Sequence, residues 1–315
     1  MQRYIARRLV SIVPSLLIVS VIVFFLIHLT PGDPAVTMLG FDATQAEIDA
    51  LRRHLGLDRP LGTQFVLWLG NVLRGNLGTS LFLDKPVVSV IVERLEPTLL
   101  LTLYALLIAV LLGVPAGVIS AIKRNGLLDQ VVMFLALMGL SIPDFWLALL
   151  LILGFAVGLR WLPAAGYQPL SSGFSANFRY LILPSLSVGL GQAAYIARMT
   201  RTSMIDVITR DYIRTARAKG LAEWCIVGKH ALKNALIPVI TVAGMSFAIV
   251  MGGAATIAET IFTIPGVGRL VVSSIQRRDY PVIQGTIMFI ACVYLLTNLI
   301  IDILYAWIDP RIRYD

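Results

Sequence analysis

Histidine, cysteine and charge are all scarce in this 315-residue chain, and each scarcity removes a class of function. The three histidines, His28, His54 and His230, lie in separate segments, and no His-Glu-x-x-His run occurs, which disfavours a membrane metalloprotease. No metal site is expected. Two cysteines, Cys225 and Cys292, are too few for a disulfide framework. A Gly-x-x-x-x-Gly-Lys-Ser/Thr loop is missing, so the chain has no such cradle for nucleotide phosphates. Also missing is the string of carboxylates within apolar runs that a proton-coupled pump needs. Charged residues make up only 14% of the chain against 57% hydrophobic ones, and mean hydropathy is +0.83. Soluble domains carry about a quarter charged residues. This composition is that of a polytopic membrane protein.

The net charge of +8 invites a nucleic-acid partner. The basic residues sit beside apolar runs, however, and no basic face alternates with stacking aromatics. Membrane topology explains them better, and no nucleic acid is expected.

Arg3, Arg7 and Arg8 precede an apolar run from Leu9 to Leu29. It is longer than a signal core, and Thr30-Pro-Gly-Asp-Pro34 lacks a small-x-small cleavage pattern, so residues 1–30 read as a retained first span with its N-terminus inside. Residues 31–97 carry eight acids and six basic residues, a balance suited to an extracytoplasmic subdomain. Thr44-Gln-Ala-Glu47 fits a capping box for a helix to about His54. Thr63 is the expected cap of a second, amphipathic helix from Gln64 to Leu73.

Residues 98–308 hold five more expected spans, followed by a cytoplasmic tail at 309–315. The spans are Thr98–Ile122, Leu128–Gly158, Leu181–Arg198, Ala235–Ala258 and Val282–Trp307. Ser141-Ile-Pro143 should kink the overlong third span. Asp144 follows that break, and two readings stand: a pathway residue, or a cap for the helix that restarts after the proline. Small residues in the fourth span (Ser185, Ser187, Gly189, Gly191, Ala193, Ala194) serve close helix packing or line a pathway, with Gln192 the one strongly polar side chain.

The polar loop at 199–234 is the most basic part of the chain. From Arg201 to Asn234 it carries seven Lys/Arg against three acids, which places it in the cytoplasm. Arg214 to Lys219 is rich in helix formers, Gly220 permits a turn, and helix-prone sequence resumes at Leu221. Two readings fit: a loop that sets topology and touches anionic lipid, or a docking helix.

The strings DYIRTARAKGL and HALKNALIPVIT resemble the cytoplasmic loop of ABC importer permease subunits, in the dipeptide/oligopeptide/nickel branch. PGDP, GLDRPLGTQF, GNLGTS, the Glu259-x-x-Phe262-x-x-Pro-Gly266-x-Gly268 stretch and the final DPRIR extend the resemblance over nearly the full chain. Arg214-Thr215-Ala216 stands where the wider family has Glu-Ala-Ala, and the distance from Gly220 to Pro238 is longer than the common form. Both departures are usual in the peptide branch.

The resemblance implies an all-α permease of six transmembrane helices in the bacterial inner membrane, with both termini cytoplasmic. It implies that Arg214, Thr215, Ala216, Arg217, Ala218, Lys219, Gly220, Leu221 and Ala222 form a coupling helix seated on an ATPase. In that setting Ala216 and Ala218 would let the backbones approach, and Arg217 and Lys219 would orient the helix. By the resemblance, Glu259, Phe262 and Gly266 stand where the family has its extracytoplasmic gate, with a turn packed for stability as the competing reading; Asp144 and Gln192 are pathway candidates on their own polarity within apolar spans. The implied partners are a second, homologous permease, two ATP-binding subunits and an extracytoplasmic binding protein. ATP and Mg are used by those subunits, and this chain binds no cofactor and is no enzyme. Dipeptide, oligopeptide, glutathione and nickel chelate remain open as cargo. A secondary transporter would show inverted repeats and midplane charges, which are not evident. A membrane scaffold using the basic loop is the other distant alternative.

Overall fold

The computed structural model describes residues 2–29, 33–39 and 43–308. Within them every regular element is helical, and only an isolated bridge pairs Thr79 with Pro86. The PGDP turn lies partly, and the DPRIR tail wholly, outside the described residues.

Helix α1 (Gln2–Leu29) contains the first apolar span, Val10–Leu29. Two short helices follow, α2 (Pro34–Leu39) and α3 (Gln45–Leu55). The expected capping box is present at α3: Thr44 Oγ1 accepts from the Glu47 amide, and the Glu47 carboxylate accepts from the Thr44 amide at 2.8 Å. Helix α4 (Leu61–Leu73) begins at Pro60 rather than at Thr63, which sits inside the first turn and caps nothing. Pro60 is the N-cap, with ψ 141°, and its carbonyl accepts the first helical bond from the Gln64 amide at 3.0 Å, which puts the start ahead of Thr63.

Helix α5 (Val87–Ile122) runs 36 residues, starting well before the expected Thr98 and carrying Pro97 and Pro115. Helices α6 (Leu127–Ser141) and α7 (Asp144–Leu151) are bent by 101° at the expected break, and π-helical turns continue α7 to Gly158. Pro143 has no amide to continue α6 and pushes Ile142 to extended dihedrals (φ −80°, ψ 122°). Helix α8 (Phe174–Ile208) is much longer than the short span expected, because its polar last turns continue past Arg198. Helix α9 (Asp211–Ala218) follows. From Glu223 to Ile261 one apolar rod is assembled from α10 (Glu223–Cys225), α11 (Leu232–Ile249) and α12 (Ala255–Ile261), joined by π-helical turns. Helix α13 (Val267–Arg277), absent from the sequence reading, precedes α14 (Tyr280–Ile308). Five of these helices are long and apolar enough to cross a membrane, and the bent α6–α7 pair makes six if it is counted as one span.

The chain divides into two compact units, Met1–Glu96 with Pro265–Leu295, and Pro97–Ile264 with Leu296–Asp315. In the first, Ile27, Ala35, Ile48, Leu51, Tyr280 and Ile283 form a buried cluster. Gln284 is buried there, with Nε2 donating to the Val23 carbonyl at 3.0 Å. In the second, α5 and α8 cross so closely that a Cβ at Gly117 would lie 2.5 Å from the Ala197 carbonyl oxygen, and one at Gly189 2.7 Å from that of Ala105. Ser185, Ser187, Gly189, Ala193 and Ala194 are all buried. The small residues of the fourth span are thus mostly packing residues, as expected of helices that must approach without large side chains between them.

Candidate functional site

The loop after α8 folds into a platform. Arg210 precedes α9 in extended conformation, and Asp211 opens the first turn. Helix α9 is amphipathic over two turns. Ile213 and Ala216, three residues apart and so on one face, are buried with Ala121, Met204, Val207, Ile226, Ala231 and Ala235. This cluster takes side chains from α5, α8, α9 and the rod that begins at Glu223. Full burial of Ile213 contributes about 1.5–3 kcal/mol, far more than an eight-residue helix holds in isolation. Packing on the ends of the spans therefore makes α9 a helix.

Gly220 ends it. Its φ of +77° lies in the left-handed region, where the Gly220 amide reaches the Arg217 carbonyl at 2.9 Å and the Leu221 amide reaches that of Ala216 at 3.3 Å. These two bonds form a Schellman turn that satisfies the last carbonyls of α9. An ion pair spans the turn: Arg217 Nε lies 2.6 Å from Glu223 Oε1, and Nη2 lies 3.3 Å from Oε2. Glu223 raises the Arg217 pKa above its ordinary value, chiefly through this hydrogen bond. Beneath α9, Asn234 Nδ2 donates to the Tyr212 hydroxyl at 2.9 Å and to the His230 carbonyl at 3.0 Å.

The other face is open. Arg214, Thr215, Arg217, Ala218, Lys219, Gly220, Leu221 and Ala222 are exposed. Trp224 is 81% exposed, the most of any large apolar side chain described, and Leu221 and Tyr212, both earlier in the loop, are exposed at 40% and 41%. Of the two alanines expected to face a partner, Ala218 is on this surface. Ala216 is not: the helical spacing from Ile213 turns it into the chain's own core. Trp224 escaped the sequence reading, although an indole in a basic loop was the available signal.

A second polar cluster was also missed. Asp129, in the first turn of α6, is buried and accepts from Arg201 Nε at 2.7 Å and Nη2 at 2.8 Å. The Ser120 hydroxyl and the Asn125 amide complete its shell. One carboxylate thus ties α5, α6 and α8 together two turns before the end of α8. Its only sequence signal was an acid at the start of a span.

Asp144 is the first residue of α7 and is half-buried. It makes no hydrogen bond among the described residues, so its carboxylate does not cap the helix it opens. It lies over α8 instead, 3.4 Å from where a Cβ on Gly191 would stand. Gln192, the next residue, is half-buried. Glu259 is fully buried and accepts from the Thr98 hydroxyl at 2.6 Å. Phe262 is buried in the cluster around Leu101, Leu181 and Ile264, and its carbonyl accepts from the Gly166 amide at 2.8 Å. Gly266 belongs to the other unit, where it precedes α13. Among the described residues no group of three or more His, Cys, Asp or Glu converges as a metal site.

Solved structures of the MetNI methionine ABC transporter in inward-facing conformations share this fold. One gives a TM-score of 0.57 at 18% identity over 70% of this chain and 97% of that one, and a second crystal form gives 0.59 at 19% over 70% and 96%. The architecture is that of a type I ABC importer permease. Family models match residues 1–102, as the N-terminal part of a binding-protein-dependent transport system membrane component, and 113–314, as the inner membrane component of such systems. The chain belongs to the family of binding-protein-dependent transport system inner membrane components. Such a permease spans the inner membrane and works with ATPase and binding-protein partners. A probable peptide ABC transporter permease protein of Sinorhizobium fredii is 44% identical over 311 residues, 99% of each chain. A glutathione transport system permease protein of Pectobacterium atrosepticum is 46% identical over 314 residues, 100% of each.

Proposed function

We propose that this permease forms half of a translocation pathway for peptides and draws its energy through the platform around Gly220. The other half is a second, homologous permease chain, two ATP-binding subunits sit in the cytoplasm, and an extracytoplasmic binding protein delivers the cargo. Both termini and residues 199–234 lie in the cytoplasm, and residues 31–97 lie outside. ATP and Mg remain with the partner subunits; the chain catalyses nothing itself.

The observation that carries this reading is the two-sidedness of α9. Its inner face is fixed by Ile213 and Ala216 to the ends of α5, α8 and the Glu223–Ile261 rod, while Ala218 on its outer face, and Lys219, Leu221 and Trp224 beyond its end, are exposed. Force applied to that outer face reaches three spans through one packed cluster. A loop that only touched lipid would need no such cluster. Asp144 and Gln192 are the proposed pathway residues, and Glu259, Phe262 and Gly266 the proposed extracytoplasmic gate.

Peptide cargo is supported by the relatives named for peptide transport at 44% identity. Glutathione is the second reading, favoured by the relative named for it at 46%. Reconstitution of the assembled importer in proteoliposomes with its binding protein tests both. ATP-dependent accumulation of labelled di- or oligopeptide supports the proposal, preferential accumulation of glutathione selects the second reading, and transport without ATP refutes both.

A further inference from the structure

The last turns of α1 and the first turn of α14 meet at one end of their spans, and a cavity of about 470 Å³ opens there. Phe24 and His28 come from α1, Tyr280 and Gln284 from α14, so the cavity sits at the depth where both helices leave the apolar layer. Helix α4 forms a wall through Leu67, Trp68 and Asn71. This apolar helix buries none of its residues: Leu61, Val66, Leu67 and Leu73 are all exposed. On a membrane protein, a short apolar helix with that exposure belongs in the interfacial layer. The rings of Phe24 and Trp68 lie 5.9 Å apart between centroids, an aromatic wall of the kind found at headgroup level.

The polar lining has one sign. Arg53 and Arg59 are exposed at the cavity, and among the described residues neither is paired with a carboxylate and no Asp or Glu lines it. Asn71 and Asn76 add amides. Gln64 braces the wall, its Oε1 lying 3.1 Å from His28 Nε2 and its Nε2 donating to the Arg59 carbonyl at 2.7 Å. Guanidinium forks match phosphate oxygens, and the rings and leucines match hydrocarbon. The volume falls within the range of about 300–1,000 Å³ usual for small-ligand pockets.

We infer that this cavity binds an anionic phospholipid, its phosphate held by Arg53 and Arg59 and an acyl chain laid along Leu67, Trp68 and Leu81. A free phosphate ion would satisfy the arginines and leave the apolar wall without a partner. The inference concerns the membrane boundary and not the coupling platform, so it stands or falls apart from the transport reading.

The test uses the full-length chain, purified within its importer and placed in nanodiscs of phosphatidylcholine containing phosphatidylglycerol. Native mass spectrometry should find phosphatidylglycerol retained in preference to phosphatidylcholine. Arg53→Glu with Arg59→Glu should lower that enrichment by about tenfold or more, the loss expected for a charge-assisted contact. Arg74→Glu, exposed and outside the lining, should keep it. The neutral pair Arg53→Gln with Arg59→Gln gives the same answer should charge reversal disturb folding. Equal retention by wild type and the arginine variants overturns the proposal. So does saturable binding of inorganic phosphate in pure phosphatidylcholine nanodiscs that the same variants abolish, which would mark a free-anion site.

Discussion

Replacing Gly220 by valine perturbs the platform at one backbone angle. An ideal Cβ at Gly220 has no atom within 4 Å, so the substitution meets no steric wall inside the chain. The cost is conformational. An L-residue at φ +77° carries about 1–2 kcal/mol of strain, and a β-branched one carries more. Escape from that region breaks the Gly220–Arg217 and Leu221–Ala216 bonds that close α9 and turns the chain away from Trp224. Either way, a penalty of about 1.4 kcal/mol or more falls on the docked state, which is at least about tenfold in ATPase affinity. The membrane level of the chain should not change, because the Ile213–Ala216 contacts remain. Uptake and substrate-stimulated ATP hydrolysis should fall at least tenfold, and the ATPases should be lost from pull-downs. Gly220→Asn is the matched control, since asparagine enters the left-handed region readily, and it should stay close to wild type. Full uptake with retained ATPases in Gly220→Val would refute the reasoning. The lipid-contact alternative predicts that pattern, together with sensitivity to joint removal of Arg210, Arg214 and Lys229.

Other outcomes follow from the same geometry. Arg201→Ala leaves Asp129 buried without its main partner and should destabilise the fold by about 3–5 kcal/mol, read as a lowered melting temperature in detergent. The Arg217–Glu223 pair is different: both side chains are well exposed, at 42% and 63%, so a double-mutant cycle should return a much smaller coupling, and one that shrinks further as salt is raised. The Arg52 guanidinium holds the Asp33 carboxyl below its usual range, so its contribution is present above the ordinary carboxylate pKa and is lost as pH falls through the lowered folded value. Amide exchange of α3 should therefore quicken only below about pH 4, and Asp33→Asn should remove that dependence. Single cysteines at positions 49 and 219, probed with an impermeant reagent on intact cells, should label at 49 and not at 219.

Much of the architecture was legible because the membrane writes it plainly. Long apolar runs marked the spans, Pro143 marked the bend, and the Thr44–Glu47 spacing marked a cap whose partners are local in sequence. Helix ends were less legible. The polar turns of α8 beyond Arg198 and of α5 before Thr98 read as loop, since hydropathy reports lipid contact and not hydrogen bonding. Helix α13 was missed because Arg269, Ser273 and Ser274 interrupt its apolar pattern. At the candidate site, the Arg214–Ala222 segment and the Gly220 turn were visible as a string. Which alanine faces inward was not, because that depends on the phase of α9 over Met204 and Ala231. The Asp129–Arg201 clamp joins residues seventy-two apart, and no local pattern announces such a pair.

The claim that the exposed surface of the platform, from α9 through Gly220 to Trp224, docks on an ATPase is tested most directly by contact. A photo-reactive amino acid placed at Trp224, whose side chain is 81% exposed, reports what covers it in the assembled importer. Irradiation should give one adduct with an ATP-binding subunit, weakened when Gly220→Val is added. Adducts with lipid alone, unchanged by Gly220→Val, would contradict the account.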